Sequence, residues 1–339
     1  MTAAAGRGRL KMKDVARDLG MSVATVSRVL SQPELVSAAT AARVREAIDR
    51  LGYRPNLTAR DLRRQETRII LVVVPRLSPF FLDVLRGAEA AAHEQGYTVL
   101  MAYSGGNPHR EGRFLDQVLS RRADGAILVT SVDAAALAAR GPALPPVVAA
   151  LEPVDGLGLP TVRVDNVAAA MAATDYLVTL GHRRIAHISG PDDVPMAQHR
   201  AEGFGLAIAR AGLDDGACHR IAGDFTLASG ERAMARLLTR NPRPTAVFVA
   251  NDEMAVGAVQ VIRKAGLTVG DDISVIGFDD QRIANLYEPS LTTVHVPTAD
   301  LGHEAVMQLV EAMAGRPAAR DIVLTTRLVI RDTTGPART

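Results

Sequence analysis

From residue 68 onward, short runs of apolar, β-branched residues alternate with longer Ala-rich segments in which apolar positions recur every three or four residues. The runs fall at 69–75, 98–103, 125–130, 147–151, 161–164, 184–189, 221–224, 245–250 and 273–278. A run such as ILVVV at 70–74 shows no in-out alternation, so it predicts a strand buried on both faces, and the intervals between runs are long enough for crossover helices. Gly96, Gly181, Gly212, Gly266 and Gly315 stand where a helix would stop. The pattern predicts a parallel α/β architecture. About 260 residues with this many strands exceed one comfortable sheet, which points to two doubly wound lobes with a cleft between them.

Residues 11–55 carry a different pattern: three short amphipathic segments and no strand. Val15, Ala16 and Leu19 share a face over 13–19, and Gly20 breaks the segment. Ser22 is placed to cap a helix over 23–30 with the stripe Val26, Val29 and Leu30, and Ser37 to cap a third helix carrying Val44, Ile48 and Leu51 before Gly52. The spacing is that of a helix-turn-helix, although a small three-helix bundle of any kind would show it.

Charge sharpens this division. Residues 1–68 hold 14 Lys and Arg against 7 Asp and Glu, a net of +7, while the rest of the chain holds 25 against 30, a net of −5. A basic module on an acidic body suggests a polyanionic partner for the front end. The single cysteine, Cys218, excludes an intramolecular disulfide framework. Arg7, Arg9 and Lys11 precede no apolar signal-like stretch, and no run approaches a membrane span, so the cytoplasm is the expected compartment, with no membrane partner.

The residues then become specific. MKDVARDLGMSVATVSRVL…LGYRPN and the following hinge, over 12–64, resemble the headpiece of LacI/GalR-family bacterial transcription regulators. SPFF at 78–81, DGAILV at 124–129, LGHRRIAHISG at 180–190, PTAVFVANDEMAVGAV at 244–259, ISVIGFDD at 273–280 and EPSLTTVHVP at 288–297 resemble the effector-binding core, in family order. The resemblance implies an all-α helix-turn-helix headpiece joined by a hinge helix to an α/β two-lobe core like that of periplasmic binding proteins. By that analogy residues 1–10 are a flexible basic tail, 11–55 the headpiece and 56–67 the hinge. The first lobe takes 68–164 and about 298–318, the second takes 165–297 and about 319–333, and 334–339 form a flexible tail.

In a helix-turn-helix the N-terminal residues of the second helix meet base edges in the major groove. Here those are Val23, Ala24, Thr25, Ser27 and Arg28; Arg28 can offer a bidentate fork to guanine, while Val23, Ala24 and the Thr25 methyl suit apolar contact. The resemblance places Ser22, Thr40, Tyr53 and Asn56 at phosphates, Leu62 as a minor-groove wedge at the operator centre and Ala59 as the small residue beside it.

Ligands of open α/β sheets bind beyond the carboxyl ends of the strands. Ser78-Pro79 reads as a cap followed by proline at the first helical position, which would bring Phe80 and Phe81 to the cleft edge, and Phe225 follows the strand at 221–224. One ring of the Phe80/Phe81 pair is expected in the core. Glu152, Arg200, Asn251 and Asp279 match family effector-contact positions, and such a set can bracket vicinal hydroxyls. The SPFF turn is one residue shorter than the familiar form. Asp165 and Asp280 read as structural.

No phosphate loop, dinucleotide fingerprint, nucleophile elbow or zinc-protease histidine motif occurs, so no catalytic residue, metal or cofactor is expected. Taken together, the sequence predicts a homodimeric repressor that binds pseudo-palindromic operator DNA under control of a small, sugar-like effector. The alternatives are the same DNA-binding role with a protein or phosphorylated co-regulator, or a solute-binding protein, which would leave 11–64 without a purpose. The tail after Ile330 has no leucine heptads for a tetramerising coiled coil.

Overall fold

The computed structural model describes residues 10–32, 35–53, 66–129, 145–154, 156–213, 218–319 and 321–338. It divides into two compact units, Met1–Thr67 and Arg68–Thr339.

The first unit is three helices, α1 (Met12–Leu19), α2 (Val23–Ser31) and α3 (Ala38–Leu51). Gly20 ends α1 with φ 64°, a left-handed turn that lets α2 start within three residues. Ser22 and Ser37 are the expected caps: their hydroxyls accept from the backbone N–H groups of Thr25 at 3.0 Å and Thr40 at 3.3 Å. Val15, Val26 and Val44 are fully buried where the helices meet, with Val29, Ala41 and Ala47 around them.

The second unit holds two six-stranded sheets. β1 (Ile69–Val74), β2 (Thr98–Tyr103), β3 (Gly125–Leu128), β4 (Val147–Leu151), β5 (Thr161–Val164) and β11 (Asp321–Leu324) form the first, in the order β11-β5-β4-β3-β1-β2 and parallel throughout. β6 (Ile185–Ser189), β7 (Arg220–Ala222), β8 (Ala246–Val249), β9 (Ser274–Asp279), β10 (Thr292–His295) and β12 (Arg327–Val329) form the second, in the order β12-β10-β9-β8-β6-β7, with only β12 antiparallel. The helices of this unit are α4 (Pro79–Glu94), α5 (Pro108–Leu119), α6 (Asn166–Thr179), α7 (Pro195–Arg210), α8 (Leu227–Leu238), α9 (Asp252–Lys264), α10 (Arg282–Leu286) and α11 (Thr298–Met313). The apolar runs are the cores of these sheets, and β1, β3, β4, β6, β8 and β9 bury nearly every side chain. All five glycines read as helix stops adopt positive φ.

The chain passes between the sheets three times: after β5, after β10, and between β11 and β12. Late helix α11 returns to the first lobe and packs on α4 so closely that a Cβ on Gly302 would lie 1.9 Å from the Val84 carbonyl oxygen, and one on Gly87 1.9 Å from that of Ala299. Glycine at both positions lets the two helix backbones touch.

Two expectations need correction. The segment at 319–333, read as one final strand of the second lobe, contains two: β11 pairs with β5 in the first sheet, and only β12 joins the second. The segment at 334–338, read as a flexible tail, is fastened to the second lobe. The Gly335 amide donates to Ser274 Oγ at 3.0 Å, its carbonyl lies 3.1 Å from His182 Nε2, and Arg338 pairs with Asp271 and Asp272. Burial holds the His182 imidazole below its ordinary pKa, which suits a neutral ring bridging Thr245, Ser274 and this segment.

Candidate functional site

In the helical unit, α2 presents Val23, Ala24 and Arg28 as exposed residues, with Thr25 and Ser27 half-buried beside them. Val23 is 46% exposed at the first position of the helix, an apolar residue that its own unit does not use. Val26 and Val29, on the opposite face, are buried in the three-helix core, and Leu30 packs against it. Ser22 and Thr40 both belong to cap pairs, Ser22 as the cap and Thr40 as the residue capped: Ser22 Oγ lies 2.8 Å from Thr25 Oγ1, and Thr40 Oγ1 2.9 Å from the Oγ of the cap Ser37. Tyr53, expected at a phosphate, has its ring in the core and is only 6% exposed. Asn56, Ala59 and Leu62 lie outside the described residues.

In the two-lobe unit, a cavity of about 550 Å³ opens between the sheets and brings together all seven residues predicted for the cleft: Phe80, Phe81, Glu152, Arg200, Phe225, Asn251 and Asp279. Each reaches it for a local reason. Pro79 starts α4 after Ser78, whose hydroxyl makes no cap bond, and Phe80 and Phe81 in that first turn pack edge to face with centroids 5.3 Å apart. Both rings are largely buried while still lining the cavity. Glu152 follows β4, Phe225 follows β7, Asn251 follows β8 and Asp279 ends β9.

Three of these strand exits are strained. Leu151, Phe225 and Asp279 have φ of 80°, 65° and 109°, values that side-chain-bearing residues rarely adopt, and all three line the cavity. No glycine marks them in the sequence.

A chain of hydrogen bonds crosses the cavity wall. Asn166 at the start of α6 donates to Glu152 Oε1 at 3.4 Å and accepts from Arg200 Nε at 2.9 Å. Arg200 Nη1 donates to the Ala250 carbonyl at 2.5 Å and lies 3.4 Å from Asp279 Oδ1, while its guanidinium sits 3.7 Å over the Phe278 ring. Asp279 Oδ2 accepts from Gln281 Nε2 at 3.3 Å. Burial pushes the Asp279 carboxyl up to about 6 in spite of Arg200, and pulls the Arg200 guanidinium below its usual value in spite of Asp279. Burial also raises Glu152, opposed by His199, whose Nδ1 lies 3.4 Å from Glu152 Oε2, and by Arg200. Gln281 Oε1 is buried on this wall and has no hydrogen-bond partner among the described residues.

Both ends of the Asn251 amide are engaged: Oδ1 caps α9 by accepting from Met254 N–H at 3.0 Å, and Nδ2 donates to the Phe225 carbonyl at 3.1 Å. It holds the cavity wall as much as it lines it. Sequence reasoning passed over Asn166, Gln281, Arg76, Tyr103 and Met196. Asn166 was within reach, since it follows a strand by two residues; Gln281 sits in a stretch where only the aspartates drew notice. Asp280 is structural, as expected, accepting from Arg331 at 2.6 Å and lying 2.9 Å from His295 Nδ1. Asp165 likewise caps α6 through the Ala168 amide. Among the described residues no cluster of His, Cys, Asp and Glu could hold a metal ion, and no helix is long and apolar enough to cross a membrane.

The arrangement offers aromatic faces, carboxylate and amide acceptors and a buried guanidinium around a space of small-molecule size. Residues 11–56 match the bacterial regulatory proteins of the lacI family, and 174–334 match the periplasmic binding protein-like domain. The chain is 40% identical over 309 residues to the HTH-type transcriptional repressor CytR of Escherichia coli (strain K12), covering 90% of each protein. The crystal structure of the Lac repressor dimer bound to operator and the anti-inducer ONPF superposes with a TM-score of 0.87 at 29% identity, over 97% of this chain and all of that one. The complex of the transcriptional regulator CelR with cellobiose gives 0.71 at 32%, over 96% of this chain and all of that one.

Proposed function

The chain belongs to the LacI family of bacterial transcription regulators, as a repressor rather than an enzyme, and we propose that its DNA affinity is set by a small, neutral, sugar-like effector bound between the lobes. A repressor of this family works on chromosomal DNA, in the cytoplasm. The observation that carries the effector reading is the convergence of Phe80, Phe81, Glu152, Arg200, Phe225, Asn251 and Asp279 on one cavity of about 550 Å³. Rings that can stack on an apolar sugar face and acidic groups that can accept from hydroxyls are the chemistry of carbohydrate recognition. Cellobiose in a solved relative is consistent with it.

At the DNA end, Arg28 reads a guanine, Val23 and Ala24 contact base methyl groups, and the hydroxyls of Ser22 and Thr40 lie against phosphates. Thr25 and Ser27 add single contacts, with Tyr53 and Asn56 at the backbone. Leu62 wedges the minor groove beside Ala59. A homodimer would present two such headpieces to a pseudo-palindrome, since protein and site share two-fold symmetry.

The test begins with selection of bound genomic fragments by the purified protein, which yields an operator. Thermal unfolding is then followed across a panel of neutral sugars and their phosphates, because a ligand that binds only the folded state raises stability by mass action. The expected outcome is stabilisation by an unphosphorylated sugar and altered operator affinity in its presence, with Arg200→Ala and Asp279→Ala retaining DNA binding and losing the response. Response only to an added protein or to a phosphorylated compound would replace this reading with that of a co-regulator.

A further inference from the structure

Arg76 stands outside the effector set matched above. It follows β1 by two residues, on the first lobe, and lines the cavity. Its partners are on the second lobe. Nη1 donates to the Asp224 backbone carbonyl at 2.9 Å, and the guanidinium carbon lies 5.8 Å from the centroid of the Phe225 ring. Its charge also acts on Glu253 in the first turn of α9, opposing the upward push of burial on that carboxyl. One side chain thus bridges the cavity to two residues of the opposite lobe, Asp224 and Phe225, and its charge is felt by a third.

The receiving surface is held rigidly. The Phe225 ring covers Gly190 so closely that a Cβ there would lie 2.3 Å from it. Its carbonyl accepts from Asn251, and its backbone sits at φ 65°. The neighbouring Asp224 is fixed by its amide donating to Ser229 Oγ at 3.0 Å and by its carboxylate accepting from the Thr226 amide at 2.9 Å. Among the described residues, further cross-lobe polar contacts beside the cavity run from Glu152, at the exit of β4, to His199 and Asn166. The lobes are therefore tied at two separate strand exits of the first sheet, β1 and β4.

We infer that Arg76 is a positioning residue that latches the two lobes together across the cavity, and so sets how much of the population is already closed when an effector arrives. A ligand shifts an equilibrium only by its differential affinity for the two states, and its apparent affinity is scaled by the fraction already competent. Arg76 would therefore tune effector sensitivity without being required for contact with the effector. The inference deepens the effector reading, but its test needs no effector, so the two can fail separately.

The experiment measures interlobe distance by electron–electron resonance between spin labels at Glu94→Cys and Arg236→Cys in a Cys218→Ser background, with labelled full-length protein diluted in unlabelled protein. Arg76→Ala should add a longer-distance population, raising the open-to-closed ratio at least tenfold, equivalent to about 1.4 kcal/mol. Arg76→Lys, which keeps the charge and a donor, should restore most of the closed population. Phe225→Leu, which removes the ring but leaves the carbonyl, should give a smaller shift in the same direction. A distance distribution in Arg76→Ala that coincides with that of the parent would overturn the latch. So would loss of the cooperative unfolding transition in Arg76→Ala together with an unshifted distance in Phe225→Leu, since Arg76 would then support the fold and not the closure.

Discussion

Arg28 and Asp279 show how differently a single charged residue is used in the two units. Arg28 is exposed on α2, where an arginine fork costs the fold nothing and is free to meet a base edge. Arg28→Ala should weaken operator binding by about 1–3 kcal/mol and relax preference at one base pair per half-site, measured by competition against single-base variants of the selected operator. Equal weakening at every base variant would assign Arg28 to a phosphate. Asp279 is buried against Arg200, and its carboxyl titrates near 6 instead of 3.8. The folded state therefore holds this proton over a range in which the unfolded chain has released it, so the stabilising contribution of the protonated form is complete below about pH 4 and is lost as pH rises through 6. Replacing Asp279 by Asn removes the titration. Relative to the variant, the parent should lose of order 2–3 kcal/mol of unfolding free energy between pH 4 and 7, read from denaturant melts across that range. Parallel pH profiles would mean that Asp279 stays ionised throughout.

At the scale of elements, α4 and α11 of the first lobe pack backbone against backbone. Gly87 and Gly302 each leave no room there for a methyl group against a backbone carbonyl. Gly87→Ala or Gly302→Ala should separate the helices and destabilise the two-lobe unit by about 1–3 kcal/mol or more, since overpacking against backbone has no side chain to displace; a change in melting midpoint of less than a degree would contradict the close approach. Strands and helices of this kind were legible wherever a run had a clear end. ILVVV at 70–74 stops at Pro75, and α2 stands between Ser22 and a stretch of polar residues. The segment DIVLTTRLV at 321–329 was not legible, because no glycine or proline interrupts it, yet the chain changes sheets at Thr325 and Thr326 between β11 and β12. Phe225, Glu152, Asn251 and Asp279 were legible because strand exits are where ligands meet such sheets and, for the three polar residues, because they match family positions; Arg200, inside α7, was reached by the resemblance. The strain at Leu151, Phe225 and Asp279 was invisible, since it is imposed by tertiary packing on residues whose identity does not announce it. The burial of the Tyr53 ring was invisible for a related reason: resemblance places the residue by position, whereas its burial follows from the small core that three short helices leave to be filled.

For the whole molecule, the two units have separate chemistries: a basic front suited to DNA and an acidic body whose cavity is of small-molecule size. A regulator needs them coupled, and coupling is a free energy shared by both ligands. If effector binding changes operator affinity by some factor, operator binding must change effector affinity by the same factor. On the proposed reading the lobes are the two-state element, because a ligand touching Phe80 and Glu152 on the first lobe and Arg200 and Asp279 on the second can distinguish one lobe arrangement from another. Regulatory couplings of this kind typically amount to 1–3 kcal/mol, or roughly 5–150-fold. Calorimetry of the stabilising sugar against the protein, with and without its selected operator duplex, should therefore give affinities that differ by such a factor, and the ratio should equal the change that saturating sugar makes in operator affinity. Asp279→Ala should abolish both changes together, since it removes a contact on one lobe and with it the basis for preferring one arrangement. Equal sugar affinity in the presence and absence of operator would leave the cavity a binding site without consequence for DNA, and a mismatch between the two ratios would show that a further ligand or oligomeric equilibrium enters the linkage.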